Sequence, residues 1–220
     1  MQGITDNTRM LFDAITKLDC IKEYTLVGGT ALSLQIGKRL SEDLDFCKWA
    51  SNIREDKLTV DWPNIEREIS SIGEIRKREV LGFDHVNFNV NGVKVSFFTK
   101  PKQVSPVRQI VSIQDNLKAA DPFSIGVMKV ELLLRRSQWR DYYDIYSLLM
   151  EGFSLKEMIA GAGIYSNHLL RSRDALNYLS NGNNYRIDGG FKLLKPYYNV
   201  DSKSIEEFIK STIKKEYGTI

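Results

Sequence analysis

Apolar and polar positions change their period twice along this chain. From about Asp6 to Leu18, the residues Leu11, Ile15 and Leu18 recur on one helical face, which predicts a first helix. A short strand, Tyr24 to Val27, is closed by Gly28-Gly29. A helix from Thr30 to Ile36 then follows, apolar nearly all round and ended by Gly37. Ser41 to Phe46 reads as a strand, with Leu44 and Phe46 on one side and Asp43 and Asp45 on the other. Pro63 opens a further helix, where its missing N–H is harmless; Ile65, Ile69 and Ile72 form its stripe and Gly73 stops it.

After Gly73 the period becomes two. Val86, Phe88 and Val90 alternate with polar residues, Asn91-Gly92 follows, and Val93, Val95 and Phe97 alternate again. Asn-Gly between alternating runs predicts a hairpin, since a type I′ turn needs positive φ at both central residues. From Asp121 the pattern is helical. Segments are expected from Asp121-Pro122 or Ser124 to Arg136, from Arg140 to Met150, from Leu155 to Ala160 and from Ser166 to Leu179. Asn181 to Gly190 reads as a loop. Ser204 to Glu207 reads as a capping box before Phe208, Ile209 and Ile213. The layout predicts an α+β chain, with a mixed α/β half over residues 1–110 and a helical half over 111–220. Pro101, Pro106 and the change of period place the boundary between Lys100 and Asp121.

Composition adds constraints. A chain of 220 residues that is 42% apolar can bury a sizeable core. A net charge of +3 argues against a general nucleic-acid coat, while leaving room for a local basic face. Two cysteines, Cys20 and Cys47, with no CxxC spacing, point to reduced thiols rather than a disulfide framework or zinc site. With neither a signal-peptide pattern nor an apolar stretch of membrane-span length, the expectation is a cytoplasmic protein without a membrane partner.

The stretch Leu26 to Phe46, LVGGTALSLQIGKRLSEDLDF, combines parts that suit one task. Gly28 and Gly29 let backbone come close to a ligand. Thr30 sits where a helix begins, and helix N-termini attract phosphate. Asp43 and Asp45 lie two apart on a strand, so their carboxylates share a side and repel unless a divalent cation lies between them. Oxygen ligands of this kind suit Mg²⁺ or Mn²⁺. Taken singly, Gly-Gly is an ordinary turn and Asp-x-Asp an ordinary sheet face; together they form a phosphate pocket beside a metal.

Gly-Gly-Thr-Ala-Leu, Arg39, Ser41 and Asp43-Leu44-Asp45-Phe46 resemble motif I of the AbiEii/AbiGii toxin family, within the DNA polymerase beta-like nucleotidyltransferase superfamily. Thr30 stands where that superfamily has serine. Met128-Lys129, Arg135-Arg136 and Arg140-Asp141-Tyr142-Tyr143-Asp144-Ile145-Tyr146 resemble the family's later motifs. The resemblance implies a polymerase-beta-like nucleotidyltransferase domain with a mixed sheet and a helical C-terminal domain. It implies Gly28, Gly29, Thr30, Arg39 and Ser41 at the nucleotide, and Asp43 and Asp45 at Mg²⁺ or Mn²⁺. Lys129 would contact nucleotide phosphates, and Asp144, rather than Asp141, would be a later catalytic carboxylate. From the residues alone, Lys129 reads as a snorkelling surface lysine and Asp141 as a helix-start carboxylate.

There is one departure. The superfamily often draws a third carboxylate from a later strand, where this chain has Ser96. Either two aspartates and nucleotide oxygens hold the metal, or Asp144 contributes; the general base is left open. The activity implied is transfer of a nucleoside monophosphate from an NTP to an acceptor, with an RNA such as the 3′ end of tRNA as acceptor and a cognate antitoxin as partner. An antibiotic-type nucleotidyltransferase and a silent nucleotide-binding module are the alternatives. His85 and His168 read as structural or surface groups, and Cys47 lacks a histidine at nucleophile spacing. Arg76-Lys77-Arg78 and Lys214-Lys215 read as solvated surface, and Tyr142, Tyr143 and Tyr146 as core or rim.

Overall fold

A computed structural model describes residues 3–51, 58–186 and 189–218. They form two compact units, Met1–Asp121 and Pro122–Ile220. In chain order the first unit holds α1 (Asp6–Ile15), β1 (Thr25–Val27), α2 (Gly28–Ile36), β2 (Leu44–Ala50), α3 (Trp62–Ser70), β3 (Ile75–Gly82), β4 (His85–Val90), β5 (Val93–Pro101), β6 (Ile110–Gln114) and β7 (Leu117–Ala120). The strands make one seven-stranded mixed sheet in the order β3-β4-β5-β2-β1-β7-β6. The pairs β2/β5 and β1/β7 are parallel, and the others are antiparallel.

Sheet register sorts side chains into two faces. Val86, Phe97, Phe46, Leu26 and Ala119 form one cross-strand row, and Phe88, Val95 and Leu44 another; all are buried. Phe46 stacks on Phe97 at 4.9 Å, and Tyr24 meets Phe97 edge-on at 5.1 Å. Residues one step along each strand take the opposite face. There the row is Asn87, Ser96, Asp45 and Val27.

The hairpin forms where Asn91-Gly92 predicts it, with φ of 51° and 89°. Other segments differ from the sequence reading, among them α2, which starts at Gly28 rather than Thr30. The strand expected from Ser41 begins at Leu44. The Ser41 amide and carbonyl are already paired with Gly3 and Thr5, and the Asp43 carbonyl accepts from Thr30. The basic run 76–78 is part of β3, an edge strand exposed on both faces and therefore without a period-two signature. Strands β6 and β7 carry the α/β unit past residue 110, so its edge lies at Asp121. They are held through Asn116, whose amide group donates to the carbonyls of Lys17 and Leu18 just beyond α1.

The second unit contains α4 (Pro122–Glu131), α5 (Trp139–Met150), α6 (Leu155–Tyr165), α7 (Ser172–Leu179) and α8 (Ser202–Tyr217). Helix α4 packs on α5 and α6, and α8 packs on α6. The helix expected to reach Arg136 tightens into a 3-10 turn at Leu132–Leu134. Helix α6 runs on to Tyr165, and the helix expected from Ser166 starts at Ser172. Between them Asn167 and His168 hold φ of 54° and 63°, and Ser166 Oγ accepts from the Leu170 amide at 3.0 Å. Helix α8 begins at Ser202 rather than after Ser204, capped by Asp201, whose carboxylate accepts from the Ser204 amide at 2.8 Å. No helix of the described residues is long and apolar enough to cross a membrane.

Candidate active site

The glycine pair turns the chain from β1 directly into α2. Gly28 takes φ of +72°, which side-chain-bearing residues rarely adopt. A side chain there would also displace its neighbours. A Cβ on Gly28 would lie 2.8 Å from Asp45 Oδ2, and one on Gly29 would lie 2.7 Å from an Arg39 guanidinium nitrogen and 3.0 Å from Ser41 Oγ. The turn is thus where Asp45, Arg39 and Ser41 converge. Its next residue, Thr30, donates its hydroxyl to the Asp43 carbonyl and ties the α2 N-terminus to the aspartate segment.

Each side chain is held by its element. Val27 pairs with Asp45 across β1/β2, and Ser96 pairs with Asp45 across β2/β5. Leu44 and Phe46 are fully buried, while Asp45 between them is half-buried, as alternation requires; Asp43, just before β2, is half-buried too. Arg39 and Ser41 are buried, at 4% and 6% exposure. The Arg39 Nη1 donates to the Leu40 carbonyl at 2.8 Å, which sets the direction of its guanidinium.

At the α2 N-terminus the cluster brings together the Arg39 guanidinium, the Thr30 and Ser41 hydroxyls and the Asp45 carboxylate, with Asp43 tied in through its carbonyl. Among the described residues no three His, Cys, Asp or Glu side chains gather into a metal-holding group. The oxygens that could hold a cation are the Asp43 and Asp45 carboxylates; the Ser96 hydroxyl, across from Asp45, is buried without a hydrogen-bond partner among the described residues. Hard oxygen donors in this number fit Mg²⁺ or Mn²⁺ that takes its remaining oxygens from water and a phosphate.

In the second unit the residues picked from sequence form a buried ion cluster. Lys129 on α4 places Nζ 2.7 Å from Asp141 Oδ1 and 2.8 Å from Asp144 Oδ2, both on α5. Arg136 adds a bond from Nε to Asp141 Oδ2 at 2.9 Å and one from Nη2 to Oδ1 at 3.2 Å. Lys129 is only 4% exposed, so it is a buried ion centre and not the snorkelling lysine its sequence context suggests. Burial alone would push the Asp141 carboxyl up. The charges of Lys129 and Arg136, with their hydrogen bonds, outweigh it and hold the group below the usual carboxylate range. Sequence reasoning missed this double pairing. The double pairing needs Arg136 to lie beyond α4 and its 3-10 turn, whereas the sequence reading carries the helix on to Arg136.

The remaining polar residues behave structurally. His85 bonds Asn87 Oδ1 at 3.1 Å, and His168 sits in the left-handed turn after α6. Burial pushes the Cys47 thiol up, and burial with the Glu68 charge pushes Cys20 up to about 12, so neither is a ready thiolate. Tyr142 donates to the Leu179 carbonyl and Tyr143 accepts from the Tyr198 amide, both at 2.9 Å, inside the helical core. Arg78 lies 4.4 Å above the Trp62 ring and pairs with Glu66, which occupies part of the basic run. A hollow lined by Asp19, Cys20, Glu23, Lys48, Asp61 and Glu68 lies toward the far end of β2 from Asp45.

Comparison with known proteins places the chain in a family. An uncharacterized protein of Aquifex aeolicus (strain VF5) is 26% identical over 161 residues, covering 72% of this chain and 73% of that one. The structure of MenT4, a nucleotidyltransferase toxin of Mycobacterium tuberculosis, superposes with a TM-score of 0.55 at 13% identity, covering 95% of this chain and 84% of that one; the two share a fold. JHP933 of Helicobacter pylori is similar over 97% of both chains, at 16% identity and a TM-score of 0.47. The family model described as nucleotidyl transferase AbiEii toxin, type IV toxin–antitoxin system, matches residues 9–184. The chain therefore belongs to the AbiEii family of nucleotidyl transferase toxins.

Proposed function

We propose that this protein transfers a nucleoside monophosphate from an NTP to a hydroxyl of RNA, with the 3′ end of tRNA as the acceptor. The observation that carries this reading is the packing of the Gly28-Gly29 turn against Asp45, Arg39 and Ser41 at the start of α2. Backbone amides at that helix start suit the triphosphate, and the Arg39 guanidinium and Ser41 hydroxyl supply further donors beside it. Asp43 and Asp45 would hold Mg²⁺ or Mn²⁺. The ion would neutralise phosphate charge and align the attacking and leaving oxygens. The acceptor oxygen bonds the α-phosphorus as its proton is lost. The bond to the β-phosphate oxygen breaks, and pyrophosphate leaves.

Lys129 as a phosphate contact and Asp144 as a further carboxylate are carried by the family likeness alone. Within their own unit, both belong to the buried ion cluster. Family membership also implies a cognate antitoxin as partner, and we place the protein in a type IV toxin–antitoxin or abortive-infection setting.

The test is incubation with each labelled NTP in turn, Mg²⁺ and total RNA. Label on tRNA is the expected result. Label only on an added aminoglycoside or lincosamide would make it a drug-modifying enzyme, and NTP binding without any transfer would make it a silent module. Asp43→Asn should abolish transfer while leaving the melting temperature near wild type; an active variant would remove Asp43 from the cation site.

A further inference from the structure

Ser96 occupies a position that an apolar side chain would fill at less cost. It is 2% exposed, and its hydroxyl has no hydrogen-bond partner among the described residues. Burying an unpaired hydroxyl is unfavourable, so its presence needs a reason outside packing. The sheet shows where that reason lies. Ser96 is directly across from Asp45 on β2 and from Asn87 on β4, and residues so paired project from the same face. That face also carries the Gly28 turn, through the contact of Gly28 with Asp45 Oδ2. Although ladder neighbours, Ser96 and Asp45 are not joined by a hydrogen bond. A water held between them would give the Ser96 hydroxyl the partner it lacks.

We propose that Ser96 is a positioning residue for the divalent cation of the Asp43–Asp45 site, accepting a hydrogen bond from water that the cation carries. This rests on the reading that those aspartates hold a cation. Mg²⁺ and Mn²⁺ keep several waters when few protein ligands are offered, and an oriented water needs a fixed acceptor. A neutral hydroxyl supplies one without a third negative charge. The pocket then holds the free cation weakly, because two carboxylates alone balance it. Triphosphate oxygens complete the shell, so cation and NTP enter together.

Titration of the full chain with Mn²⁺, followed by electron paramagnetic resonance and by thermal melting, tests this. It is run with and without an NTP whose α,β-bridging oxygen is a methylene. Wild type should bind Mn²⁺ weakly alone and more tightly with the analogue. Ser96→Ala should weaken Mn²⁺ binding with the analogue roughly tenfold, the scale of a group acting through a metal's bound water. The same variant should melt, metal-free, no lower than wild type, because an unpaired buried hydroxyl is gone. Ser96→Asp should tighten Mn²⁺ binding without nucleotide and melt lower without metal.

Unchanged Mn²⁺ binding in Ser96→Ala, with binding lost in Asp45→Asn, would overturn the role of Ser96 and leave the aspartate site standing. A lower metal-free melting temperature in Ser96→Ala with unchanged Mn²⁺ binding would mean that a structural water holds the hydroxyl, and would overturn it too. If Asp45→Asn binds Mn²⁺ like wild type, the aspartate reading itself fails, and the inference fails with it.

Discussion

Gly28 combines two constraints that a single methyl group would violate. Its φ of +72° disfavours any L side chain, and the same methyl would press on Asp45 Oδ2. Gly28→Ala is therefore expected to cost about 1–2 kcal/mol in stability from the backbone alone, measured by urea unfolding. Because the carboxylate must also shift, NTP transfer should fall by roughly a hundredfold or more, as a misplacement of about 1 Å does at a reacting centre. Asp141 sets a second residue-scale expectation. Its carboxyl is held below the usual range in the folded protein, so the unfolded chain binds the extra proton first as pH falls. The stability it contributes is full above the unfolded carboxylate value and is lost as pH drops through the folded one. Asp141→Asn should flatten that acid limb in urea titrations. At neutral pH it should cost about 3 kcal/mol, the scale of breaking a buried ion pair.

At the scale of elements, the start of α6 depends on a residue from the far end of α8. The Glu216 carboxylate accepts from the Ser154 hydroxyl at 3.0 Å and from the amides of Leu155 and Lys156 at 3.1 and 2.6 Å. A carboxylate at a helix N-terminus satisfies orphan amides and meets the positive dipole end. Glu216→Ala is expected to destabilise the helical unit by about 1 kcal/mol, the usual worth of an N-cap, read as a lower melting temperature with NTP binding unchanged. Nothing in the sequence near Ser154 announces this partner, because it lies sixty-two positions further along. The elements that sequence does announce have local causes. Asn91-Gly92 builds its hairpin from its own φ preferences, and Gly37 ends α2 with φ of 63°. Strands β3 and β6 escape notice because an exposed edge strand needs no alternating pattern, and β7, between β1 and β6, because its four residues are too few to show one.

For the whole molecule, charge limits how the proposed RNA acceptor would be held. A net charge of +3 over 220 residues leaves little general attraction for phosphate, so such binding would come from a few local contacts. The RNA affinity is expected to fall only shallowly with salt, since the slope of log affinity against log salt counts the phosphates neutralised. A steep slope would reveal an extended basic surface instead. The two compact units divide at Asp121–Pro122, and the chemistry read from sequence falls in both. The glycine turn and the Asp43–Asp45 pair lie in the first, and Lys129 and Asp144 in the second.

The amino-acid sequence alone determined what depends on neighbours in the chain. That includes the α+β layout, the hairpin, the alternation that turns Asp45 away from Leu44 and Phe46, and the motif that marks the family. The tertiary structure decided everything that depends on distant partners. Only folding brings Asp45 against Gly28, places Ser96 across from Asp45 with its hydroxyl unpaired, and buries Lys129 between two carboxylates. The physical reason is range. Backbone preferences and side-chain periodicity act over a few residues, whereas desolvation and ion pairing act between surfaces that meet only when strands and helices pack.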